Sequence, residues 1–280
     1  QWERWLAEAD AVYSSGNIRI DEALLRKAPK VQVIAQASVG YDNFDVAACR
    51  AHQVKIGNTP GVLVNAVADL AYGLLLDTAR NIVRGHRHVA EGLWAQKKAP
   101  GMGVDLYGKT LGIVGLGDIG SAIARRAQVS GMRVIYHNRH RKLNDSALGV
   151  TYAAWEELLR TSDFIVVAVT LNPSTKGLFD AAAFAAMKEG VRFVNISRGK
   201  VVDTEALVAA LQSGKVAAAG LDVTDPEPLP GDHPLLRLLN ITVTPHIASA
   251  TEETRDAMAL VTAQNIVAAL TGEAMPAQIR

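Results

Sequence analysis

The sequence predicts an α/β protein carrying two doubly wound parallel-sheet domains. Three observations lead there. Short apolar, β-branched runs alternate with Ala- and Leu-rich stretches of helical period along most of the chain. From residue 111 onward, successive runs are separated by enough chain for a crossover helix, as parallel pairing requires. One run feeds straight into a glycine-rich turn that opens a helix, Gly115-x-Gly117-x-x-Gly120. At 280 residues the chain is long for one domain and comfortable for two.

Bulk properties narrow the function classes. Hydrophobic residues make up 49% and charged residues 20%, which is ordinary for a globular protein with a large core. The net charge of +1 provides no global field to attract nucleic acid or an anionic membrane, so neither is expected as a partner. The single cysteine, Cys49, excludes an internal disulfide framework, fits a reducing compartment and reads as a small buried apolar residue. No apolar run approaches the ~18 residues that a membrane helix needs. The opening segment "QWERWLAEAD" is charged and lacks the apolar core of a signal peptide. A cytoplasmic protein without a metal site is expected. The chain also opens without Met, as a trimmed or incomplete one would.

Taken in order, the expected strands are 31–35 (VQVIA), 111–114 (LGIV), 133–136 (RVIY), 164–169 (FIVVAV), 191–196 (VRFVNI), 217–223 (AAAGLDV) and 241–244 (ITVT). Helical stretches fall at 119–130, 155–161, 180–188 and 203–213. Residues 62–92 read as one long helix that starts after the turn Thr59-Pro60-Gly61 and joins the two domains. A last helix runs over 251–271, with Thr251 as N-cap and Glu252 and Glu253 in its first turn, and packs back onto the first domain.

The glycine turn carries the first chemical signal. Gly115 permits the tight turn, Gly117 lets a pyrophosphate approach the backbone, and Gly120 lets helix pack on strand. Asp118 and Ile119 complete the loop, and the helix start offers unpaired N–H groups to phosphate. This is the signature of a Rossmann dinucleotide domain. In that fold an Asp or Glu roughly 20 residues further on grips the adenosine ribose. Here Asn138 stands 18 residues beyond Gly120, followed by Arg139, His140, Arg141 and Lys142. A carboxylate would repel a 2′-phosphate carrying about −1.5 to −2 charges. Neutral Asn138 removes that repulsion, and Arg139 supplies a planar donor suited to phosphate oxygens. Arg141 or Lys142 could add charge. NADPH is expected to be preferred, with NADH as a second cofactor.

Three later segments each place one reactive group just past an expected strand: Arg198 in "VNISRGKVVD", Glu227 between two prolines in "LDVTDPEPLP", and His246 in "VTPHIASAT". Ligands of open parallel sheets bind outside the carboxyl ends of the strands. Read singly these are a surface Arg, a turn Glu and a capping His. Together they form a working set for carbonyl reduction. Histidine is the usual donor of the proton that a hydride does not bring. A carboxylate against its other nitrogen orients the ring and favours imidazolium. A guanidinium can bind a substrate carboxylate and polarise the ketone.

The segments "SVGYDNFDVAAC", "NTPGVLVNAVADLAYGLLL", "GKTLGIVGLGDIG", "VNISRGKVVDTEALVAAL", "AAGLDVTDPEP" and "TPHIASATEETR" resemble, in order and over nearly the whole chain, those of the D-isomer-specific 2-hydroxyacid dehydrogenases. Within that family the chain is most similar to the NADPH-preferring glyoxylate/hydroxypyruvate reductases, whose second strand also ends without an acid and then shows Arg. The resemblance implies that Arg198, Glu227 and His246 are the catalytic set, with His246 as acid/base, Glu227 as its partner and Arg198 holding a 2-oxo acid. It implies that backbone N–H groups of Val39 and Gly40 bind the substrate carboxylate and that Ser249 lines the site. Asp222 would face the nicotinamide carboxamide, Thr170 and Leu171 would border the adenine, and Ile196 and Ser197 the nicotinamide ribose. It further implies a homodimer in which Trp94 reaches the neighbouring subunit's active site.

By the same resemblance, the cofactor domain is 61–247, and a smaller flavodoxin-like substrate domain is formed by 1–60 and 248–280, lacking its first βα unit. The active site would be the cleft that closes around substrate. Two departures stand out. Asp118 falls where the family often has Arg, which implies somewhat weaker cofactor affinity, and a missing βα unit would make the chain a fragment or an incomplete one. Alternative readings are a nucleotide-sensing scaffold like the transcriptional corepressors that resemble this family, or another member acting on phosphoglycerate, 2-ketogluconate or formate. The absence of a long disordered tail argues against the scaffold. Glu227 argues against the formate enzymes, which pair the histidine with Gln.

Overall fold

The computed structural model describes residues 1–16 and 18–280. They form two compact units, Gln1–Leu63 with Ser249–Arg280, and Val64–Ala248.

The chain begins in the smaller unit with α1 (Trp2–Glu8), β1 (Ala11–Ser14), α2 (Glu22–Arg26), β2 (Val33–Gln36), α3 (Val46–Ala51) and β3 (Lys55–Gly57). The short helices start where an acidic side chain satisfies their free N–H groups. Asp21 accepts from Ala23 and Leu24, and Asp45 from Ala48. β1, β2 and β3 pair in parallel. β2 is buried on both faces. Ile34 joins a core with Val12, Leu25, Phe44, Cys49 and Ile56, while its neighbour Val33 turns to a separate cluster. Burial pushes the Cys49 thiol up to about 11, which removes it as a nucleophile near neutral pH.

The larger unit opens with α4 (Val64–Arg80) and α5 (Ile82–Ala90), followed by β4 (Thr110–Val114), α6 (Asp118–Val129), β5 (Arg133–His137), β6 (Thr151–Tyr152), α7 (Trp155–Thr161), β7 (Phe164–Val167), α8 (Ala181–Ala186), β8 (Val191–Asn195), α9 (Thr204–Ser213), β9 (Val216–Leu221) and β10 (Ile241–Val243). The sheet order is β10-β9-β8-β7-β4-β5-β6, and every pair is parallel. Order reverses at β4, between β5 and β7. A crevice at such a reversal, beyond the carboxyl ends of the strands, is where open α/β sheets take their ligands. Strands β4 and β7 are buried throughout, as expected of strands covered on both faces. α4 lays its buried Ala68, Ala71, Leu74 and Leu75 on the sheet, and Gly220 in β9 makes room: a Cβ there would lie 3.0 Å from Leu74 Cβ.

Residues 62–92 are not one helix. Asn81 adopts a left-handed conformation (φ 56°) that separates α4 from α5. The carboxylate of Asp77 secures the break, accepting from the Val83 N–H at 2.8 Å and from the Thr242 hydroxyl at 2.5 Å. Apolar period runs through both helices, so the pattern conceals a joint made by one Asn and one Asp.

The chain returns to the smaller unit as α10 (Glu252–Thr271) and β11 (Gln278–Ile279). Thr251 caps α10, its hydroxyl accepting from Thr254 N–H. Ala268 and Ala269 pack on Val33. β11 pairs antiparallel with β3, so this sheet is parallel with one antiparallel edge. Asn265 braces the edge, donating to the Asn58 carbonyl at 3.0 Å and accepting from Ala277 N–H at 2.9 Å. No helix among the described residues is long and apolar enough to cross a membrane.

Candidate active site

The glycine turn follows β4 at the reversal point. Gly115 sits at φ 101°, and a Cβ on it would lie 2.6 Å from the Ala168 carbonyl oxygen. A Cβ on Gly120 would lie 2.2 Å from the Gly115 carbonyl oxygen. Both glycines are therefore demanded by the protein's own packing. Gly117 is different: no protein atom lies within 4 Å of where its Cβ would be. Its bare flank answers no internal need and is the approach a pyrophosphate would use, ahead of α6, whose N-cap is Gly117 itself.

Asn138 reaches into this turn. Its Oδ1 accepts from Leu116 N–H at 2.6 Å, bracing the loop. An aspartate could accept the same bond, so the bond accounts for the shape of the residue, and the missing charge bears on the ligand. Beyond it, Arg139 and His140 are exposed. Arg141 is engaged elsewhere: its Nε donates to buried Asp145 at 2.7 Å, and that bond holds the Asp145 carboxyl below the usual carboxylate range. Lys142 Nζ lies 3.4 Å from Ser121 Oγ on α6, so of the two further cations it is the one directed toward the phosphate helix. Thr170 and Leu171 follow β7, at the other side of the reversal.

Past β8, the Arg198 turn is built by Asn195. The Asn195 Oδ1 accepts from both the Ser197 N–H (3.0 Å) and hydroxyl (2.8 Å), and its Nδ2 donates to the Arg198 carbonyl at 3.0 Å. Ile196 and Ser197 are buried within this turn. The next residue locks it to the Glu227 loop. A Cβ on Gly199 would fall 1.9 Å from the Thr224 carbonyl oxygen, so only glycine lets the two loops touch.

Past β9 and β10, Glu227 and His246 meet. His246 Nδ1 lies 2.6 Å from Glu227 Oε1. The carboxylate thereby selects the tautomer with the proton on Nδ1 and leaves Nε2 for a ligand. This bond is the main reason the Glu227 carboxyl is held below its ordinary range; burial opposes the shift, and the charges of His246 and Arg198 add to it. The Arg198 guanidinium itself donates to the Ser197 carbonyl at 2.9 Å.

The turn bearing His246 rests on Asp222. Only 1% exposed, Asp222 accepts through Oδ1 from the Thr244 hydroxyl (2.6 Å) and Ile247 N–H (2.9 Å), through Oδ2 from Ala248 N–H (2.9 Å), and through its carbonyl from His246 N–H (2.9 Å). These bonds hold His246 at φ 55°. The carboxylate expected at the carboxamide is thus a principal support of the histidine turn. Asn195 carried no motif that marks it; an Asn two residues before a Ser at a strand end is the only local hint of its turn.

Four further expected residues lie apart from this group in the chain. Val39 and Gly40 occupy the loop after β2 in the smaller unit, where Ser249 also falls, half-buried. Trp94 follows α5 in the larger unit and is 70% exposed. Among the described residues no cluster of His, Cys, Asp and Glu could hold a metal.

Residues 72–248 match the model of the D-isomer specific 2-hydroxyacid dehydrogenase NAD binding domain. The glyoxylate reductase of Korarchaeum cryptofilum is 44% identical over 272 residues, 96% of this chain and 82% of that protein. The glyoxylate/hydroxypyruvate reductase B of Escherichia coli is 44% identical over 270 residues, 95% of this chain and 83% of that protein. Among solved structures, an NADPH-dependent glyoxylate/hydroxypyruvate reductase from Sinorhizobium meliloti, in complex with NADP and malonate, superimposes with a TM-score of 0.87 at 34% identity, over 96% of this chain and 82% of that one. With a reversed parallel sheet, a glycine turn at its reversal and these relatives over nearly its full length, the chain belongs to the D-isomer specific 2-hydroxyacid dehydrogenase family.

Proposed function

We propose that the protein reduces a small 2-oxo acid, of the glyoxylate or hydroxypyruvate type, to the D-2-hydroxy acid with NADPH. The observation that carries this reading is the 2.6 Å pair of His246 and Glu227 on loops past β9 and β10, with Arg198 on the loop past β8, all at the carboxyl ends of the strands. The relatives named as glyoxylate and glyoxylate/hydroxypyruvate reductases support the substrate class.

The open flank of Gly117 fits a dinucleotide, which the turn Gly115–Gly120, with Asp118 and Ile119, would hold by its backbone. Bound there, the reduced nicotinamide supplies the hydride. Arg198 binds the 2-oxo acid and draws electron density toward the ketone oxygen. His246 gives the proton from Nε2 to that oxygen, and the carboxylate of Glu227 offsets the charge of the imidazolium before transfer and keeps the ring aligned. Val39 and Gly40 bind the substrate carboxylate through N–H groups, and Ser249 lines the site. Thr170 and Leu171 border the adenine, Ile196 and Ser197 the ribose, and Asp222, besides supporting His246, faces the carboxamide.

NADPH preference rests on Asn138 and exposed Arg139, and is supported by the NADP held in the Sinorhizobium meliloti relative. Val64–Ala248 serves as cofactor domain and the smaller unit as substrate domain. A homodimer completes the reading. α5 has no buried residue and, with exposed Ile82, Val89 and Trp94, offers an apolar surface for a second copy. A reducing compartment, the cytoplasm, suits a chain whose one cysteine is a buried free thiol.

The test is a panel of 2-oxo acids with NADPH and NADH, followed at the nicotinamide absorbance band. Turnover of glyoxylate or hydroxypyruvate with a higher kcat/KM for NADPH is expected. No turnover of any 2-oxo acid would remove the reading.

A further inference from the structure

The loop after β2 in the smaller unit has a one-sided backbone. Three consecutive carbonyl oxygens all accept hydrogen bonds: Ser38 from the Thr59 N–H at 2.9 Å, Val39 from Asn58 Nδ2 at 2.9 Å, and Gly40 from Gln36 Nε2 at 2.8 Å and the Ser38 hydroxyl at 2.6 Å. A trans peptide sets its C=O and N–H in opposite directions. The N–H groups of Val39, Gly40 and Tyr41 therefore point away from those donors. None of the three has an acceptor among the described residues. A run of backbone N–H groups left open in this way offers donors to an anion.

Two side-chain amides hold this geometry, and both are themselves fixed. Gln36 ends β2 and is 2% exposed. Its Oε1 accepts from Asn43 Nδ2 at 2.7 Å and from Ser14 Oγ at 3.3 Å, which directs its NH2 group at Gly40. Asn58 follows β3, its N–H donating to the Ala277 carbonyl at 3.2 Å and its carbonyl accepting from Asn265 at 3.0 Å. Each amide thus ties one peptide plane of the loop to the sheet.

We infer that Gln36 and Asn58 are positioning residues for the substrate carboxylate: by fixing the Val39 and Gly40 carbonyls inward, they aim the N–H groups of Gly40 and Tyr41, beside that of Val39, at the acid group of the 2-oxo acid. The inference deepens the proposed reductase activity and rests on it. Both positions need a donor. A carboxylate at either would set oxygen against oxygen and turn the peptide away. Such a run grips the carboxylate equally in substrate and transition state, so its loss belongs in KM and leaves kcat alone.

The experiment uses the full chain with NADPH and two variants, Asn58→Ala at a half-buried position and Gln36→Glu as a near-isosteric replacement. For both, KM for glyoxylate is expected to rise about tenfold or more, with kcat within about threefold. The inhibition constant of oxamate, an unreactive carboxylate competitor, should rise in parallel, while NADPH affinity stays near wild type in both; the melting temperature should hold for Asn58→Ala and fall for Gln36→Glu, which buries a carboxylate. If Gln36→Glu does not fold, Asn58→Ala decides alone. A glyoxylate KM and oxamate constant unchanged in the folded variants would overturn the inference, as would a loss shared in proportion by NADPH affinity and kcat. Wild-type turnover separates the two readings: with it, unchanged variants sink only the positioning role, and without it the reductase reading fails first.

Discussion

Asp222 and Thr244 face each other across the ends of neighbouring strands β9 and β10, the threonine hydroxyl 2.6 Å from the carboxylate. Through the other bonds of that carboxylate, to the N–H groups of Ile247 and Ala248, the pair sets the turn from which His246 projects. Thr244→Val keeps the shape and removes the donor. A hydrogen bond to a charged acceptor is worth about 1.5–3 kcal/mol, so urea midpoints should show a loss of that order. Reductase kcat should fall several-fold while NADPH affinity is retained, because the turn carries His246, the proposed proton donor.

The carboxyl of Glu227 is held below its ordinary range in the folded chain, chiefly by the bond from His246. A depressed folded value means that the stabilisation is present above the unfolded value of about 4.3 and is lost as pH falls through the folded one. The two side chains are 40% and 46% exposed, so solvent screening keeps the contribution under about 1 kcal/mol. Glu227→Gln should therefore be slightly less stable than wild type at neutral pH, with the gap closing in acid below about pH 4, read from urea midpoints. Its kcat should fall by about 10²-fold or more, since the proposed proton donor loses its partner.

Gly117 and Gly120 stand three residues apart in one turn and should respond oppositely to the same substitution. Gly120→Ala drives a Cβ to 2.2 Å from the Gly115 carbonyl and should cost several kcal/mol or abolish folding. Gly117→Ala meets nothing in the protein and should melt like wild type. It should nevertheless lose NADPH affinity by about tenfold or more, measured by nicotinamide fluorescence titration.

Arg139 is exposed beside Asn138 at the end of β5. Arg139→Asp places a carboxylate where a 2′-phosphate would sit and should shift the kcat/KM ratio toward NADH by about tenfold or more. An unchanged ratio would remove Arg139 from cofactor selection.

Legibility in the sequence followed locality. The strands of the larger unit and the glycine turn declare themselves because β-branched runs and three fixed glycines are short-range signals. Strand β3 spans three residues and β6 and β11 two each, too few for any period to show. The break at Asn81 is hidden because its cause includes Thr242, far along the chain. Arg198, Glu227 and His246 could be named as candidates from residue type and position past a strand. Their supports could not: Gly199 against Thr224, Asp222 under the histidine turn, and Gln36 with Asn58 around the Val39 loop are meetings of remote residues. A chemical group is visible in one dimension, whereas the scaffold that aims it is a property of the folded chain.

Cys49 lies sealed in the smaller unit, 1% exposed, and is the chain's sole sulfhydryl. A thiol-reactive dye added to intact protein can therefore label only molecules in which that unit has opened, and the larger unit stays silent throughout. One buried atom thus serves as a native stopwatch for the breathing of one half of the molecule, with no engineered label required.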